Sequence, residues 1–299
     1  MTADDQHEEF GGLSRDLTAM IDRRHALRLL GGAGLAGFVA ACSSGGSSSS
    51  SPTTTAASAP ETTASTTAAP TTTASAATDA PPTTATTVAD VGPSPGEEIP
   101  SEGAGPFPAD GTNGPNVLDI DGVVRQDMTN SIGELSGTAP GTPMTLQLTI
   151  VDADTGTPLP GAAVYVWHNT ADGRYSIYEI DDQNYLRAVQ AADDSGRVTF
   201  TTIYPGCYPG RWPHCHFEVY DSLDEATVGN DAIKTTQLAL PQADSEAVYV
   251  GADYGESAAE LAQLSLATDG IFRDGWQDQL ATVAANADGS YTASLLVRV

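Results

Sequence analysis

The 299-residue chain has few positive side chains: 12 Lys and Arg stand against 39 Asp and Glu, and the formal net charge is −27 at pH 7. Proteins that bind nucleic acid need a basic face that neutralises phosphates. This composition does not supply such a face, so we expect no nucleic-acid partner. The excess of carboxylates favours solubility and indicates little about the fold.

Large apolar side chains are almost absent between residues 43 and 96, where Ser, Thr, Ala and Pro dominate. Such a segment cannot bury enough surface to offset the entropy that folding costs. We therefore predict a disordered tether over residues 42–98. A flexible chain of roughly 50 residues spans about 40 Å root-mean-square.

The segment before the tether has the composition of an export signal. Arg23 and Arg24 precede a Gly- and Ala-rich apolar stretch that is too short to cross a bilayer comfortably. The arginine pair resembles a twin-arginine signal, and "VAAC" at residues 39–42 resembles a bacterial lipobox whose cysteine is lipidated. We expect residues 1–41 to be removed and Cys42 to anchor an extracytoplasmic lipoprotein in the cell membrane. An ordinary secretory signal with a chance cysteine is the alternative.

The remaining residues, 99–299, have the pattern of a β protein. Short alternating or fully apolar runs such as "MTLQLTIV", "GRVTFTTI", "HCHFEVY" and "SYTASLLVRV" are bounded by Gly, Pro, Asp or Asn. This pattern is typical of a sandwich or barrel. We predict a mainly β fold, an antiparallel β-sandwich core with long loops, and one short helical segment around Leu261, Leu264 and Leu266. The segment "DSLDEATVGNDAIKTT" is expected to be an enlarged loop.

Histidine is scarce, with five residues, and two of them lie one residue apart in "YPGRWPHCHFEVY". On a β-strand His214 and His216 point to the same face, which is a geometry that can bind a metal. An HxH pair alone is weak evidence, because two histidines on a strand can simply face solvent. A zinc site would need a third ligand, for which His168 is the candidate.

Further residues make this segment more specific. "TIYPGCYPGRWPHCHFEVY" together with "VYVWHNTADGRYS" resembles the intradiol ring-cleavage dioxygenases, the family of protocatechuate 3,4-dioxygenase and catechol 1,2-dioxygenase. "EGAGPF" at residues 102–107 and "TTQLALP" at residues 235–241 extend the resemblance, which covers roughly residues 100–299.

The resemblance implies a non-haem Fe(III) enzyme that uses O2 to cleave a catechol-type aromatic diol between its hydroxyl-bearing carbons, giving a muconate-type product. The implied metal ligands are Tyr175, Tyr208, His214 and His216. Tyr208 would also take up a substrate proton, Arg211 would stabilise negative charge on the ring, and Gln237 would line the site. Anionic phenolates suit a hard ferric ion.

Each of these residues also has an ordinary structural interpretation. The tyrosines could be core aromatics, with Tyr178 and Tyr204 close enough to be confused with them. Arg211 could pair with a surface carboxylate, and Gln237 could be a plain strand residue. The whole domain could instead be a non-catalytic transthyretin-like or adhesin-like β-sandwich module, or a zinc hydrolase. The particular diol and the oligomeric state stay open.

Two cysteines depart from the family pattern. Cys215 separates the two histidines, where a branched apolar residue is usual, and Cys207 directly precedes Tyr208. In an oxidising compartment a Cys207–Cys215 disulfide would link the Tyr208 loop to the histidine strand and contribute roughly 2.5 kcal/mol. Strand alternation argues against it, because it points Cys215 away from the metal face.

Overall fold

The computed structural model describes residues 94–228 and 232–299. The predicted export signal, the lipidated Cys42 and the tether up to residue 93 lie outside the described residues. Within the described part the backbone amide of Gly96 already donates to the carbonyl of Ala153, and that of Ile99 donates to the carbonyl of Arg298. The segment that leads into the domain is therefore hydrogen-bonded to the turn that follows the first strand and to the last strand.

The first sheet has the strand order β4-β1-β8-β7 and holds one face against the core. Its strands are β1 (Pro143–Val151), β4 (Arg197–Ile203), β7 (Thr282–Ala285) and β8 (Tyr291–Arg298). Alternate residues of β1 and β4 are buried, as expected for a sheet with one solvated face. The β1–β8 pair is parallel, and the other pairs are antiparallel.

The second sheet is fully antiparallel and has the order β3-β2-β5-β6. Its strands are β2 (Ala163–Trp167), β3 (Arg187–Ala191), β5 (His214–Tyr220) and β6 (Lys234–Ala239). Every residue of β2 and β5 is buried, so both faces of this sheet are covered.

Two apolar clusters explain this double coverage. The larger cluster joins residues from both sheets, including Leu146, Val166 and Phe217, and forms the sandwich core. The smaller cluster joins Tyr165 and Trp167, on the other face of β2, to the segment around Val117. The long segment before β1 therefore lies over the outer face of the second sheet.

The predicted mainly β sandwich and its short helical segment are confirmed, with differences in detail. The helices are α1 (Leu223–Val228), α2 (Gln242–Val248) and α3 (Ser257–Leu261), and 3₁₀ turns cover Ala252–Tyr254, Leu266–Thr268 and Phe272–Asp274. Helix α3 stops before Leu264, and Ser265 and Thr268 then cap a separate 3₁₀ turn reciprocally. Part of the expected enlarged loop is helix α1. No helix among the described residues is long and apolar enough to cross a membrane.

Candidate metal centre

Strand β5 presents two histidines on the outer face of the second sheet. His214 and His216 are almost completely buried, and their Nε2 atoms lie 3.1 Å apart. The ring of His216 stacks on Trp167, its cross-strand neighbour, at a centroid distance of 5.0 Å. The predicted common direction of the two imidazoles is confirmed, because residues i and i+2 of a strand share a face.

Tyr208 reaches the histidines from a tight turn that precedes β5. The backbone amide of Arg211 donates to the carbonyl of Tyr208, and Gly210 has φ of +84°. Pro and Gly at the two central positions are the residues that a type II turn requires. The turn holds the Tyr208 hydroxyl 3.4 Å from Nε2 of His214.

Tyr175 reaches the same point from the connection between β2 and β3. Its backbone amide donates to the Glu179 carboxylate, and its ring packs against Phe107 at 4.8 Å. The Tyr175 hydroxyl lies 3.2 Å from Nε2 of His216. Residues from three separate parts of the chain thus meet at one place.

Four donor atoms therefore converge: two phenol oxygens and two imidazole nitrogens, with neighbouring atoms 3.1 to 3.4 Å apart. Ligands bound at roughly 2.0–2.2 Å to one ion lie about 3 Å apart. The spacing and the chemistry of this donor set thus fit a metal ion held by Tyr175, Tyr208, His214 and His216.

The protonation of the groups agrees with this use. Burial, followed by the charge of Arg211, lowers the pKa of His214 to about 3, and burial, followed by the neighbouring His214, lowers the pKa of His216 well below its usual value. Both imidazoles are neutral at physiological pH and can offer a lone pair. Burial, followed by the proximity of Tyr208, raises the pKa of Tyr175 well above its usual value. Ionising this phenol therefore requires a strong positive charge beside it.

The second nitrogen differs between the two histidines. Nδ1 of His214 lies 2.5 Å from the carbonyl of Trp212 and can donate to it, which directs the Nε2 lone pair toward the tyrosines. Nδ1 of His216 is buried without a hydrogen-bond partner. The orientation of His216 therefore rests on packing, namely on Trp167 beneath it and on Gly105, where an added Cβ would lie 3.2 Å from the ring.

A zinc site built on His168 is not supported. His168 is buried elsewhere, and its two ring nitrogens contact the Asn169 carbonyl and the Thr202 hydroxyl at 2.7 and 2.6 Å. In residues 94–228 and 232–299, no group of three or more His, Cys, Asp or Glu side chains could hold a metal ion. A metal at this place would need the tyrosines.

The predicted neighbours Arg211 and Gln237 lie beside the donor atoms. Gln237 is directly opposite His216 in the β5–β6 register, and its Oε1 accepts a 2.6 Å hydrogen bond from Nη2 of Arg211. Nε2 of Gln237 donates to the carbonyl of Gly103, in the segment that covers the sheet. Neither residue is an exposed surface residue, because both are buried.

Two further carboxyl groups lie near the donor atoms, and the sequence analysis assigned a role to neither of them. Asp269 is fully buried and bonds to Arg211 across 58 positions of sequence, a separation that no local pattern reveals. Glu102 lies 3.2 Å from Nε2 of Gln279, and burial raises its pKa to about 7. The "EGAGPF" resemblance contained Glu102 but gave it no role.

The two tyrosines that could have been confused with the ligands have other partners. Tyr178 donates to Asn113 and accepts from the backbone amide of Ala109. The hydroxyl of Tyr204 is bonded to Ser245 inside the sandwich core. The structure therefore brings Tyr175 and Tyr208, and not these two, to the histidines.

The hypothesised Cys207–Cys215 disulfide is contradicted, since both thiols are free and buried. Cys215 points into the sandwich core, opposite to its histidine neighbours, as strand alternation requires. The Sγ atom of Cys207 lies 3.5 Å from the carbonyl of Arg211 and donates to it. Burial raises the pKa of the Cys207 thiol to about 12, which makes it a poor nucleophile.

Comparisons with known proteins agree with this site. A family described as "Dioxygenase" matches residues 114–227, which include the Tyr175 loop, the Tyr208 turn and both histidines. Hydroxyquinol 1,2-dioxygenase of Nocardioides simplex is 35% identical over 77 residues, which are 26% of this chain and 26% of that protein. The protocatechuate 3,4-dioxygenase beta chain of Burkholderia cepacia is 37% identical over 79 residues, 22% of this chain and 33% of that protein. The chain thus matches about a quarter to a third of the length of these relatives.

Among solved structures, an intradiol ring-cleavage dioxygenase from Tetranychus urticae is similar to this chain. The two share 23% identity with a TM-score of 0.48, over 59% of this chain and 86% of the other.

Proposed function

We propose that this chain is an intradiol ring-cleavage dioxygenase that uses O2 to open a catechol-type ring between its two hydroxyl-bearing carbons. The dioxygenase family match over residues 114–227 supports this proposal. The observation that carries the proposal is the convergence of two phenols and two neutral imidazoles within 3.1 to 3.4 Å. A non-catalytic sandwich module does not need this arrangement.

The donor set suits a non-haem ferric ion held by Tyr175, Tyr208, His214 and His216. Hard anionic oxygens favour the ferric over the ferrous state, and imidazoles complete the set. When bound, the ion would supply the Lewis acidity that makes the diol ring reactive toward O2. The product would be a muconate-type diacid.

The protein's own groups have three tasks in this proposal. His214, fixed by its bond to the Trp212 carbonyl, and His216, fixed by stacking on Trp167, hold their nitrogen atoms in place. Tyr208 is the less buried of the two tyrosines, and in the phenolate form that it would have as a metal ligand, its Oη atom would accept a proton from the entering diol. Arg211 is buried and places its positive charge beside the ring, where negative charge develops.

Visible spectroscopy tests the proposal directly. The purified protein, supplied with ferric iron, should show the red tyrosinate-to-iron charge-transfer band and consume O2 when catechol is added. Tyr175→Phe should shift or remove the band, whereas Tyr178→Phe, three residues away with its hydroxyl on Asn113 and Ala109, should leave it unchanged. A colourless protein that holds stoichiometric zinc would contradict the proposal.

We also propose that the domain is exported and held at the cell membrane by a lipid on Cys42. The tether predicted over residues 42–98 would end before Gly96, whose backbone amide is hydrogen-bonded to Ala153 of the domain. The support is the sequence alone: the arginine pair, the "VAAC" segment and the Ser/Thr/Ala/Pro composition. Cys42→Ser should release the protein from membranes into the soluble extracytoplasmic fraction. Cys215→Ser is the matched control, and equal release by both variants would argue against the anchor.

A further inference from the structure

Asp269 is a buried carboxylate with four hydrogen-bond donors around it. Its Oδ1 atom accepts from the backbone amides of Ile271 and Phe272, at 2.8 and 3.1 Å. Its Oδ2 atom accepts from the backbone amide of Trp212 at 2.7 Å and from Nε of Arg211 at 3.1 Å. Burial would raise the pKa of this carboxyl, but the charge of Arg211 and the backbone amides keep it below the usual value, so Asp269 is ionised.

Three of those four donors are backbone amides, so the position of the Asp269 carboxylate does not depend on Arg211. The carboxylate is held by Trp212, Ile271 and Phe272 independently of the arginine side chain. Asp269 is therefore a fixed anion against which a long, flexible side chain can be oriented, and it is not a mobile partner that adapts to it.

The guanidinium is held from two sides. Asp269 binds Nε, and Oε1 of Gln237 binds Nη2 at 2.6 Å. Gln237 is itself fixed, because it pairs with His216 in the strand register and donates to Gly103. Two anchors at different nitrogens determine both the position and the plane of the guanidinium.

Arg211 is the cation for which orientation matters most. Its Nη2 atom donates to Gln237, which lies opposite His216 in the strand register, so its positive charge lies beside the metal ligands. Only 7% of its side chain is exposed. A buried guanidinium without its carboxylate would be drawn toward solvent or toward the tyrosine oxygens, because an uncompensated buried charge is strongly unfavourable.

We propose that Asp269 is a positioning residue of the active site, which fixes the Arg211 guanidinium in the plane where it faces the reacting ring. The proposal rests on the ring-cleavage function proposed above. Within residues 94–228 and 232–299, the hydrogen bonds of Asp269 go to Arg211 and to three backbone amides and to none of the metal ligands, so its effect reaches the ring through Arg211. It also forms the salt bridge through which the 3₁₀ segment at residues 266–274 meets the site.

The test compares Asp269→Asn with Asp274→Asn, an exposed carboxylate of the same segment. Both variants should keep the iron content and the tyrosinate band of the wild-type protein. Asp269→Asn should lower kcat for catechol by about 10- to 100-fold, since a misplaced catalytic group costs this much. The dissociation constant of an unreactive diol analogue, read from the shift of the visible band, should change by less than about threefold. Asp274→Asn should leave both constants unchanged.

A double-mutant cycle separates positioning from a general loss of structure. In an Arg211→Ala background, Asp269→Asn should cause little further loss of kcat, because there is no guanidinium left to orient. The proposal is overturned if folded, iron-loaded Asp269→Asn has the kcat of Asp274→Asn, or if its loss is the same with and without Arg211. A wild-type protein without colour or activity would refute the proposed function instead, so the two failures are distinguishable.

Discussion

The two sheets of the domain are built from similar strands but differ in what covers them. The first sheet buries one face, and the partly exposed residues of β1 and β4 alternate with buried ones. The second sheet is buried on both faces, by the first sheet on one side and by the segment before β1 on the other. All four donor atoms lie on that second, covered face or in the loops over it.

This difference explains where a polar site can exist. A strand that is covered on one side only can leave its outward side chains in water, where they need no partners. His214, His216 and Gln237 point outward from the second sheet and are buried, so their polar atoms must be satisfied by one another, by the cover or by a ligand. The polar side chains of the candidate metal centre therefore lie on the covered face of the second sheet, and the first sheet contributes to the core beneath it.

The largest expected effect comes from removing a donor on the second sheet. His214→Ala should abolish the tyrosinate band and reduce iron affinity by at least about 10²-fold, because even residues behind a ligand cost 10- to 100-fold. Thr201→Ala, at an exposed position of the first sheet, is the matched control and should stay within twofold of wild type. Equal iron binding by the two variants would contradict the conclusion that the second sheet, and not the first, carries the metal ligands.

A second effect concerns the charge of the substrate. Arg211, the positive side chain beside the metal ligands, is committed to Asp269 and Gln237, and the buried Arg187 is committed to the carbonyls of Pro108 and Ser176. Arg197 and Arg298 lie on the first sheet. A ring carboxylate would enter beside Glu102 and Asp269 without a new cation. We expect KM for a catechol carrying a carboxylate to exceed that of its neutral amide analogue by about tenfold or more, since an unpaired charge is costly to desolvate.

Steady-state kinetics with the two compounds at the same pH give the measurement. Arg273, exposed on the neighbouring 3₁₀ turn, is the side chain that could alter this result. Equal KM values that become unequal in Arg273→Ala would show that this arginine recognises the carboxylate, and would overturn the prediction.

The third effect compares two glycines with the same backbone strain. Gly105 has φ of +75° and lies against His216, whereas Gly289 has φ of +85° in the β7–β8 turn with nothing within 4 Å of an added Cβ. Alanine at either position should cost about 1–2 kcal/mol of stability, the penalty for a left-handed residue. Gly105→Ala should in addition lower kcat about tenfold by displacing His216, and Gly289→Ala should not.

Thermal unfolding and steady-state kinetics of both variants distinguish the effect of backbone strain from the effect of the contact with His216. If Gly289→Ala lost as much activity per degree of destabilisation as Gly105→Ala, the segment before β1 that covers the second sheet would affect activity only through the stability of the domain. The contrast is sharp because His216, unlike His214, has no hydrogen bond on Nδ1 and depends on packing.

Much of this site can be predicted from local sequence patterns. The part that cannot be predicted depends on contacts between residues that are distant in sequence. The period-2 strand pattern predicts that His214 and His216 share a face and that Cys215 points away, and "YPGR" predicts the turn that brings Tyr208 forward. Strand alternation already argued against the Cys207–Cys215 disulfide, and the disulfide is contradicted because both thiols are free. Asp269 could not be predicted, because its contact with Arg211 joins two loops that only the folded chain brings together.

The smallest expected effect distinguishes two carboxylates by their surroundings. Glu102, in the cover of the second sheet, has its pKa raised from 4.5 to about 7 by burial, whereas hydrogen bonds from Ser290 lower the pKa of the exposed Asp288 in the β7–β8 turn. A raised carboxyl pKa means that the folded state binds the proton more tightly than the unfolded state. Stability is therefore lost as the pH rises from 4.5 to 7, and the full penalty is present above pH 7.

Glu102→Gln removes that penalty and should raise the free energy of unfolding at pH 8 by about 1 kcal/mol, after allowance for solvent screening, with no change at pH 4. Asp288→Asn should act in the opposite direction, with a small loss at pH 8 that disappears in acid, because a lowered carboxyl pKa stabilises only the ionised form. Chemical denaturation at the two pH values measures both. A Glu102→Gln variant that is less stable than wild type at pH 8 would show that the carboxylate is paired in the cover, and would remove the electrostatic difference between the two regions.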